Sequence, residues 1–313
     1  MYFIMKKVLV LMSTYNGASY IREQITTLLN QKKVDVLLLI RDDGSTDSTI
    51  DIIKDICKDH NNIKFIKGEN RGCPQSFLSL MEATQTIVAD YDYIAFSDQD
   101  DIWLPEKLYQ ASLKIQDLPQ DAPALYFSNL YITRGDYSQR SLMYESAPPI
   151  NKSHLMVENF AAGCTIMFNK MALTTFLKLP VNNLIMHDKR LIHMCMLLGN
   201  IIYDSNAYIC YRQHEDNVIG ANYYFKQRIN SKLRSLKNFW KQHDRAEEAK
   251  EVLAAYGELM TDEDRKMVSI VAFYRKRIKY RLLMLFSPGK YDFNMRRHTD
   301  NFWFKIRVLI GAV

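Results

Sequence analysis

Asp98-Gln99-Asp100-Asp101 packs three carboxylates into four residues. Their mutual repulsion opposes such a cluster unless a cation sits there. Mg²⁺ or Mn²⁺ suits it, because these ions prefer hard oxygen donors and share their coordination between protein, water and phosphate. A D-x-D pair of this kind can hold a metal while the metal neutralises a diphosphate leaving group. The alternative is a solvated acidic turn ahead of a helix at Pro105. A second cluster, Asp42-Asp43-Gly44-Ser45-Thr46-Asp47, offers carboxylates to a pyrimidine N3–H or a ribose hydroxyl, with Gly44 allowing close approach. A helix N-cap with an acidic first turn would account for Asp47 but not for the Asp42-Asp43 doublet.

The surrounding elements decide whether these clusters can meet. Residues 7–13, 34–41, 63–67 and 91–97 read as short, buried strands. Between them, residues 19–30 place Ile21, Ile25, Leu28 and Leu29 on one helical face. A second helix opens at Ser45 or Thr46, a third spans about 74–87 with Pro74 in its first turn, and a fourth starts at Pro105. Strand and helix alternating in this way predict an α/β fold: a mostly parallel sheet flanked by helices. Ligands of such sheets bind beyond the carboxyl ends of the strands, so Ser13–Gly17, Asp42–Asp47 and Asp98–Asp101 should line one crevice. Further on, 160–168 reads as a strand, 188–198 as a helix, and 200–212 as two short strands around Asn206. Beyond about 222 the pattern is helical and basic.

Several ordered motifs carry a family resemblance: VLVLMSTYNGASYI, LIRDDGSTDST, ENRGCPQSF and FSDQDDIWLPEKL in residues 8–111, then MHDKRL at 186–191 and YRQHEDNVIG at 211–220. Together they resemble family 2 glycosyltransferases of the GT-A fold, in their rhamnosyltransferase-like subgroup. The resemblance covers about residues 5–220. It implies an inverting, metal-dependent enzyme that moves a sugar from a nucleoside-diphosphate donor to a glycan or lipid-linked acceptor. It assigns Ser13, Tyr15, Asp43 and Arg71 to nucleotide-sugar binding and Asp98 to the ribose and metal. Asp100 would bind Mn²⁺ or Mg²⁺ directly, His214 would approach the metal or diphosphate, and Asp188 would be the general base. The sequence departs from the family pattern at Ser76, where an asparagine is usual. A role for Asp188 as helix N-cap, a UDP-hexose donor in place of dTDP-rhamnose, and a non-catalytic nucleotide-sugar binder on the same fold stand as alternatives. A phosphohydrolase fits less well, because its D-x-D follows the first strand and this one follows the fourth. No G-x-G-x-x-G follows the first strand, which argues against a dinucleotide oxidoreductase.

Of the 313 residues, 48% are hydrophobic and 24% charged, as in ordinary globular chains. Residues 1–225 hold 21 Lys and Arg against 25 Asp and Glu, whereas 226–313 hold 20 against 10. That asymmetry predicts a catalytic domain at 1–221 and a basic helical extension at 222–313. In residues 271–286, Val271, Tyr274, Ile278, Leu282 and Leu285 form one stripe beside Arg275, Lys276, Lys279 and Arg281. Such a helix can rest on an anionic membrane surface or pack its stripe on the catalytic domain. The positive charge is not interleaved as a nucleic-acid motif, so no nucleic-acid partner is expected. Five cysteines without a C-x-x-C pair read as reduced thiols, and no run reaches the ~20 apolar residues of a membrane span. The expected location is the cytoplasm, peripheral at the inner face of the cell membrane.

Overall fold

The computed structural model describes residues 5–134, 136–179, 186–213, 244–287 and 289–313. They group into two compact units, residues up to 147 with 161–212, and residues 148–160 with those from 213 onward. A division at 221/222, as read from the charge asymmetry, leaves 148–160 with the first unit; by its packing, that segment goes with the second.

The first unit holds nine strands: β1 (Lys6–Thr14), β2 (Val34–Asp42), β3 (Ile63–Lys67), β4 (Tyr93–Ser97), β5 (Ile102–Trp103), β6 (Ala124–Arg134), β7 (Asp136–Leu142), β8 (Met167–Asn169) and β9 (Asn200–Arg212). Their order is β3-β2-β1-β4-β8-β6-β9-β5, with β7 added on β6. The block β3-β2-β1-β4 is parallel throughout, as is the β6–β9 pair, whereas β8, β5 and β7 run antiparallel to their neighbours. Val8 to Met12 on β1 are all buried, since helices cover both faces, which is why this strand reads as an unbroken apolar run. Each such side chain contributes about 1.5–3 kcal/mol by leaving water. The helices of this unit are α1 (Ile21–Leu29), α2 (Thr49–Cys57), α3 (Cys73–Ala83), α4 (Lys107–Ile115), α6 (Lys170–Lys178) and α7 (His187–Leu198).

Several expected boundaries move, each for a local reason. Helix α2 starts at Thr49, because residues 45–47 are held in a loop by cross-links to residues 16–18. Residues 160–166 are not strand; only Met167–Asn169 pair in the sheet, preceded by a 3-10 turn at Gly163–Thr165. Asn200–Arg212 is one strand with register shifts against β6; Asp204 Oδ1 accepts from the backbone and side-chain nitrogens of Asn206 at 3.0 and 2.9 Å and holds the irregularity. The β6–β7 hairpin went unread in the sequence, although β6 lies inside the sheet.

The second unit contains α5 (Lys152–Leu155), α8 (Arg245–Tyr256), α9 (Asp262–Phe273), α10 (Ile278–Phe286) and α11 (His298–Ile310). Lys152 Nζ meets Asp264 Oδ2 at 2.7 Å, and Arg245 Nε donates to the Val157 carbonyl at 2.7 Å. The stripe read across 271–286 is two helices meeting at residues 274–277. Val271 and Tyr274 are buried, while Ile278 and Leu282 are exposed. Among the described residues, no helix is long and apolar enough to cross a membrane.

Candidate active site

The two aspartates of the Asp42-Asp43 doublet have different tasks. Asp42 ends β2 and folds its own turn: Oδ1 accepts from the backbone nitrogens of Gly44 and Ser45 at 3.1 and 2.8 Å, and Oδ2 accepts from Thr14 Oγ1 at 3.0 Å. The turn needs Gly44 at φ +82°, in the left-handed region that disfavours a side chain. Asp43 is buried and pairs with the buried Arg41 guanidinium. Its Oδ2 also accepts from the Arg71 and Gly72 backbone nitrogens at 3.1 and 2.8 Å. Arg41 Nη1 and Ser13 Oγ both donate to Ser76 Oγ, at 2.8 and 2.6 Å. Ser13, Arg41, Asp43, Arg71 and Ser76 thus form one hydrogen-bonded group across the strand ends. Arg71 enters it through its backbone, with the side chain exposed. In the sequence Arg41 shows only as a lone cation closing the apolar run LLLI, which names no role by itself. Ser76, read as a departure, receives two hydrogen bonds.

Tyr15 is tied to the D-x-D loop. Its backbone N–H donates to Gln99 Oε1 at 2.9 Å, and Gln99 Nε2 donates back to its carbonyl at 3.1 Å. The approach leaves no room at Gly17, where a Cβ would lie 2.3 Å from Gln99 Oε1. The Tyr15 ring stays half exposed at the strand ends.

The D-x-D loop is braced from behind by α1 and the residues just after it, through Thr27 and the buried Gln24 and Gln31. Gln24 Nε2 donates to Ser97 Oγ at 2.8 Å, Thr27 Oγ1 accepts from the Trp103 backbone at 3.2 Å, and Gln31 accepts from Leu108 and donates to Leu104. Arg212, at the end of β9, donates to the Asp100 carbonyl at 3.1 Å and pairs with Glu23 at 2.7 Å. Trp103, which follows the D-x-D loop, is buried and anchors it.

The carboxylates crowd one another. Burial, then the charges of Asp100 and Asp188, lift Asp98 to about 7. Asp101, fully buried with no regular hydrogen bond to either oxygen, is pushed well above the usual carboxylate range by burial and by Asp98 and Asp100. Asp188, in the first turn of α7, accepts from the Lys189 backbone at 2.7 Å and rests against Gly163. Burial raises it from the ordinary 3.8 to about 6, so this aspartate is tuned. Its neighbour His187 is core: the ring stacks on Phe77 at 3.9 Å between centroids and meets Phe96 edge-on, and burial drives it to about 3. The Cys73 thiol is pushed up to about 12 by burial and then by Asp98, Asp188 and Asp43. Acidic groups from two strand-end loops and from the first turn of α7 therefore lie near one thiol.

A divalent cation fits this chemistry, with buried carboxyl oxygens lacking partners and an unrelieved excess of negative charge. The donor atoms closest to one another among the described residues belong to Asp98, Asp101 and Cys164, within 4.8 Å. Cys164 is pushed well above its ordinary range by burial and remains a thiol, a poor partner for Mg²⁺ or Mn²⁺. The hard oxygens such an ion prefers could come from Asp98, the buried Asp100 and Asp101. His214 lies outside the described residues.

Beside the cluster, Lys107 is 1% exposed, its Nζ sits 3.3 Å from the Trp103 ring centroid with no hydrogen-bond acceptor, and burial lowers it to about 7. Tyr211 is raised by burial and then by Asp98, which places β9 against the acidic loops.

Comparison with known proteins agrees with this geometry. The family model for "Glycosyl transferase family 2" matches residues 9–177. The chain is 32% identical over 241 residues, 73% of its length and 80% of the relative's, to a dTDP-rhamnosyl transferase RfbG of Shigella flexneri. It is 28% identical over 172 residues, 53% of its length and 62% of the relative's, to the Escherichia coli UDP-Glc:alpha-D-GlcNAc-diphosphoundecaprenol beta-1,3-glucosyltransferase WfaP. The fold resembles that of Staphylococcus aureus TarS, solved with UDP-GlcNAc, at a TM-score of 0.55 and 19% identity, covering 85% of this chain and 70% of that one. With these matches and the GT-A arrangement of its sheet, the chain belongs to glycosyl transferase family 2.

Proposed function

We propose that this glycosyltransferase inverts configuration and uses a divalent metal, moving a sugar, rhamnose in the reading we favour, from a nucleoside-diphosphate donor to a glycan or lipid-linked hydroxyl in cell-surface polysaccharide synthesis. One observation carries the reading: Asp43 and Asp98, just past the ends of β2 and β4, and Asp188, in the first turn of α7, all lie near enough to Cys73 to raise its thiol. Rhamnose is favoured by the 32% identity to a relative named for dTDP-rhamnosyl transfer. A UDP-hexose donor is the second reading, prompted by the E. coli relative named as a UDP-Glc transferase.

In this scheme Tyr15 offers its exposed ring to the nucleobase, while Ser13 and the edge formed by Asp43 and Arg71 meet the base or ribose. Asp98 and Asp100 would hold Mn²⁺ or Mg²⁺, with His214 as a further ligand. The metal, when bound, supplies positive charge for the departing diphosphate. Asp188 takes the proton from the acceptor hydroxyl as its oxygen bonds to the anomeric carbon. The bond from that carbon to the diphosphate oxygen breaks on the opposite side, which inverts configuration. General-base assistance contributes roughly 10²–10⁴-fold. Asp188 is ionised above about pH 6 and so serves as base at neutral pH. The catalytic domain at 1–221 works at the inner face of the cell membrane, with the basic extension at 222–313 on its anionic surface.

The test is a donor panel (dTDP-rhamnose, UDP-glucose, UDP-GlcNAc, GDP-mannose) assayed for nucleotide release with Mn²⁺ or Mg²⁺, with and without EDTA. The anomeric configuration of the product is read by NMR. Turnover that survives chelation, or a product of retained configuration, refutes the mechanism.

A further inference from the structure

Among the described residues, most of the large exposed apolar side chains of the second unit lie on its last two helices. On α10, Ile278, Leu282 and Phe286 are 69%, 45% and 73% exposed at helical spacing. On α11, Phe302, Trp303, Leu309 and Ile310 are exposed, while Phe304 and Val308 pack inward. Residues 279 and 283 follow the stripe around α10, and they form part of the wall of a cavity of about 420 Å³. Lys266, Arg277, Lys279 and Lys290 line the same cavity, with Tyr280 and Tyr291. Lys290 pairs with Glu263, and Arg277 Nη1 donates to Tyr280 Oη at 3.1 Å. Lys266 and Lys279 have no ion pair among the described residues. A cationic concavity thus opens beside an apolar stripe on one short helix.

We propose that this cavity is a headgroup site for a phosphate monoester lipid of an anionic bilayer, with Ile278, Leu282 and Phe286 entering the boundary between headgroups and acyl chains. The inference rests on the membrane reading above and sharpens it. A helix held only by diffuse charge responds to surface potential, whereas a pocket with two unpaired lysines and a tyrosine hydroxyl responds to the oxygens of one phosphate. Apolar side chains this exposed gain by burial in the interface, and the lysines gain an anionic partner there.

The experiment is flotation of the full chain with three kinds of vesicle: phosphatidylcholine alone, and phosphatidylcholine mixed with phosphatidic acid or with phosphatidylglycerol at matched surface potential. The expected result is binding to both anionic vesicles, several-fold stronger to phosphatidic acid. Lys266→Ala and Lys279→Ala should each weaken that binding about fivefold and erase the headgroup preference. Lys250→Ala, which removes the same charge from α8, should keep the preference; circular dichroism melting checks that each variant is folded. Equal binding to both anionic vesicles, with pocket variants no worse than Lys250→Ala, overturns the headgroup site and leaves the membrane reading intact. Absence of binding to any vesicle overturns both. Lysine-dependent binding of inorganic phosphate in calorimetry, with no lipid preference, assigns the cavity to soluble phosphate and overturns the lipid occupant.

Discussion

Replacing Asp188 with Asn should destroy activity and stabilise the fold, and the two effects together separate a catalytic base from a structural cap. The folded state raises Asp188 from 3.8 to about 6, chiefly by burial. A carboxyl with a raised folded value prefers to be protonated in the fold. The cost of keeping it ionised is absent below about pH 4 and complete above pH 6. The shift of about two units corresponds to about 3 kcal/mol at pH 8. Asparagine keeps an oxygen for the Lys189 backbone N–H, now 2.7 Å from Oδ1, and carries no charge. It also relieves Asp98 of one of the charges that lift it. In metal-free buffer at pH 8, Asp188→Asn should therefore gain up to about 3 kcal/mol, or several degrees in Tm. The gain should fade as the pH approaches 4. Turnover should drop about 10²–10⁴-fold while donor binding persists. Paired denaturant titrations at pH 4, 6 and 8, with nucleotide-release kinetics, supply the readout. A loss of 1 kcal/mol or more at pH 8, or turnover near wild type, refutes the assignment.

Three further outcomes follow from the same geometry. Arg41→Met leaves Asp43 a buried charge without its guanidinium and should cost about 3–5 kcal/mol in denaturant titration, with donor KM rising because the Ser13–Ser76 group loosens. Gly17→Ala pushes a methyl into Gln99 and breaks the two bonds to Tyr15, so donor KM should rise severalfold with a stability loss of about 1–2 kcal/mol. Lys107→Met should cost less than about 1.5 kcal/mol, because the buried amine has no hydrogen bond to lose, whereas Lys107→Ala should cost about 2–4 kcal/mol by opening a cavity under Trp103.

The strands β1 to β4 and their helices were legible because their signals are local: apolar runs of fixed length broken by turn residues. Strand β6 was not, since ALYFSNLYITR owes its place to partners at 167–169 and 200–212, contacts that no local period announces.

By itself, the sequence determined that Asp43, Asp98 and Asp100 lie at one edge of the sheet, because strand ends in a parallel sheet point one way. Tertiary structure alone decided which carboxylates are spent on the fold and which are left for chemistry. Asp42 and Asp43 are adjacent in sequence, yet one closes a turn and the other clamps Arg41. Nothing local to Asp188 in the sequence marks an unusual acidity; burial in the fold raises it to about 6. The stripe across 271–286 likewise has one helical period in sequence, and only packing buries Val271 and exposes Ile278. Periodicity records which residues share a face; desolvation, which sets both acidity and exposure, depends on what the rest of the chain places against that face.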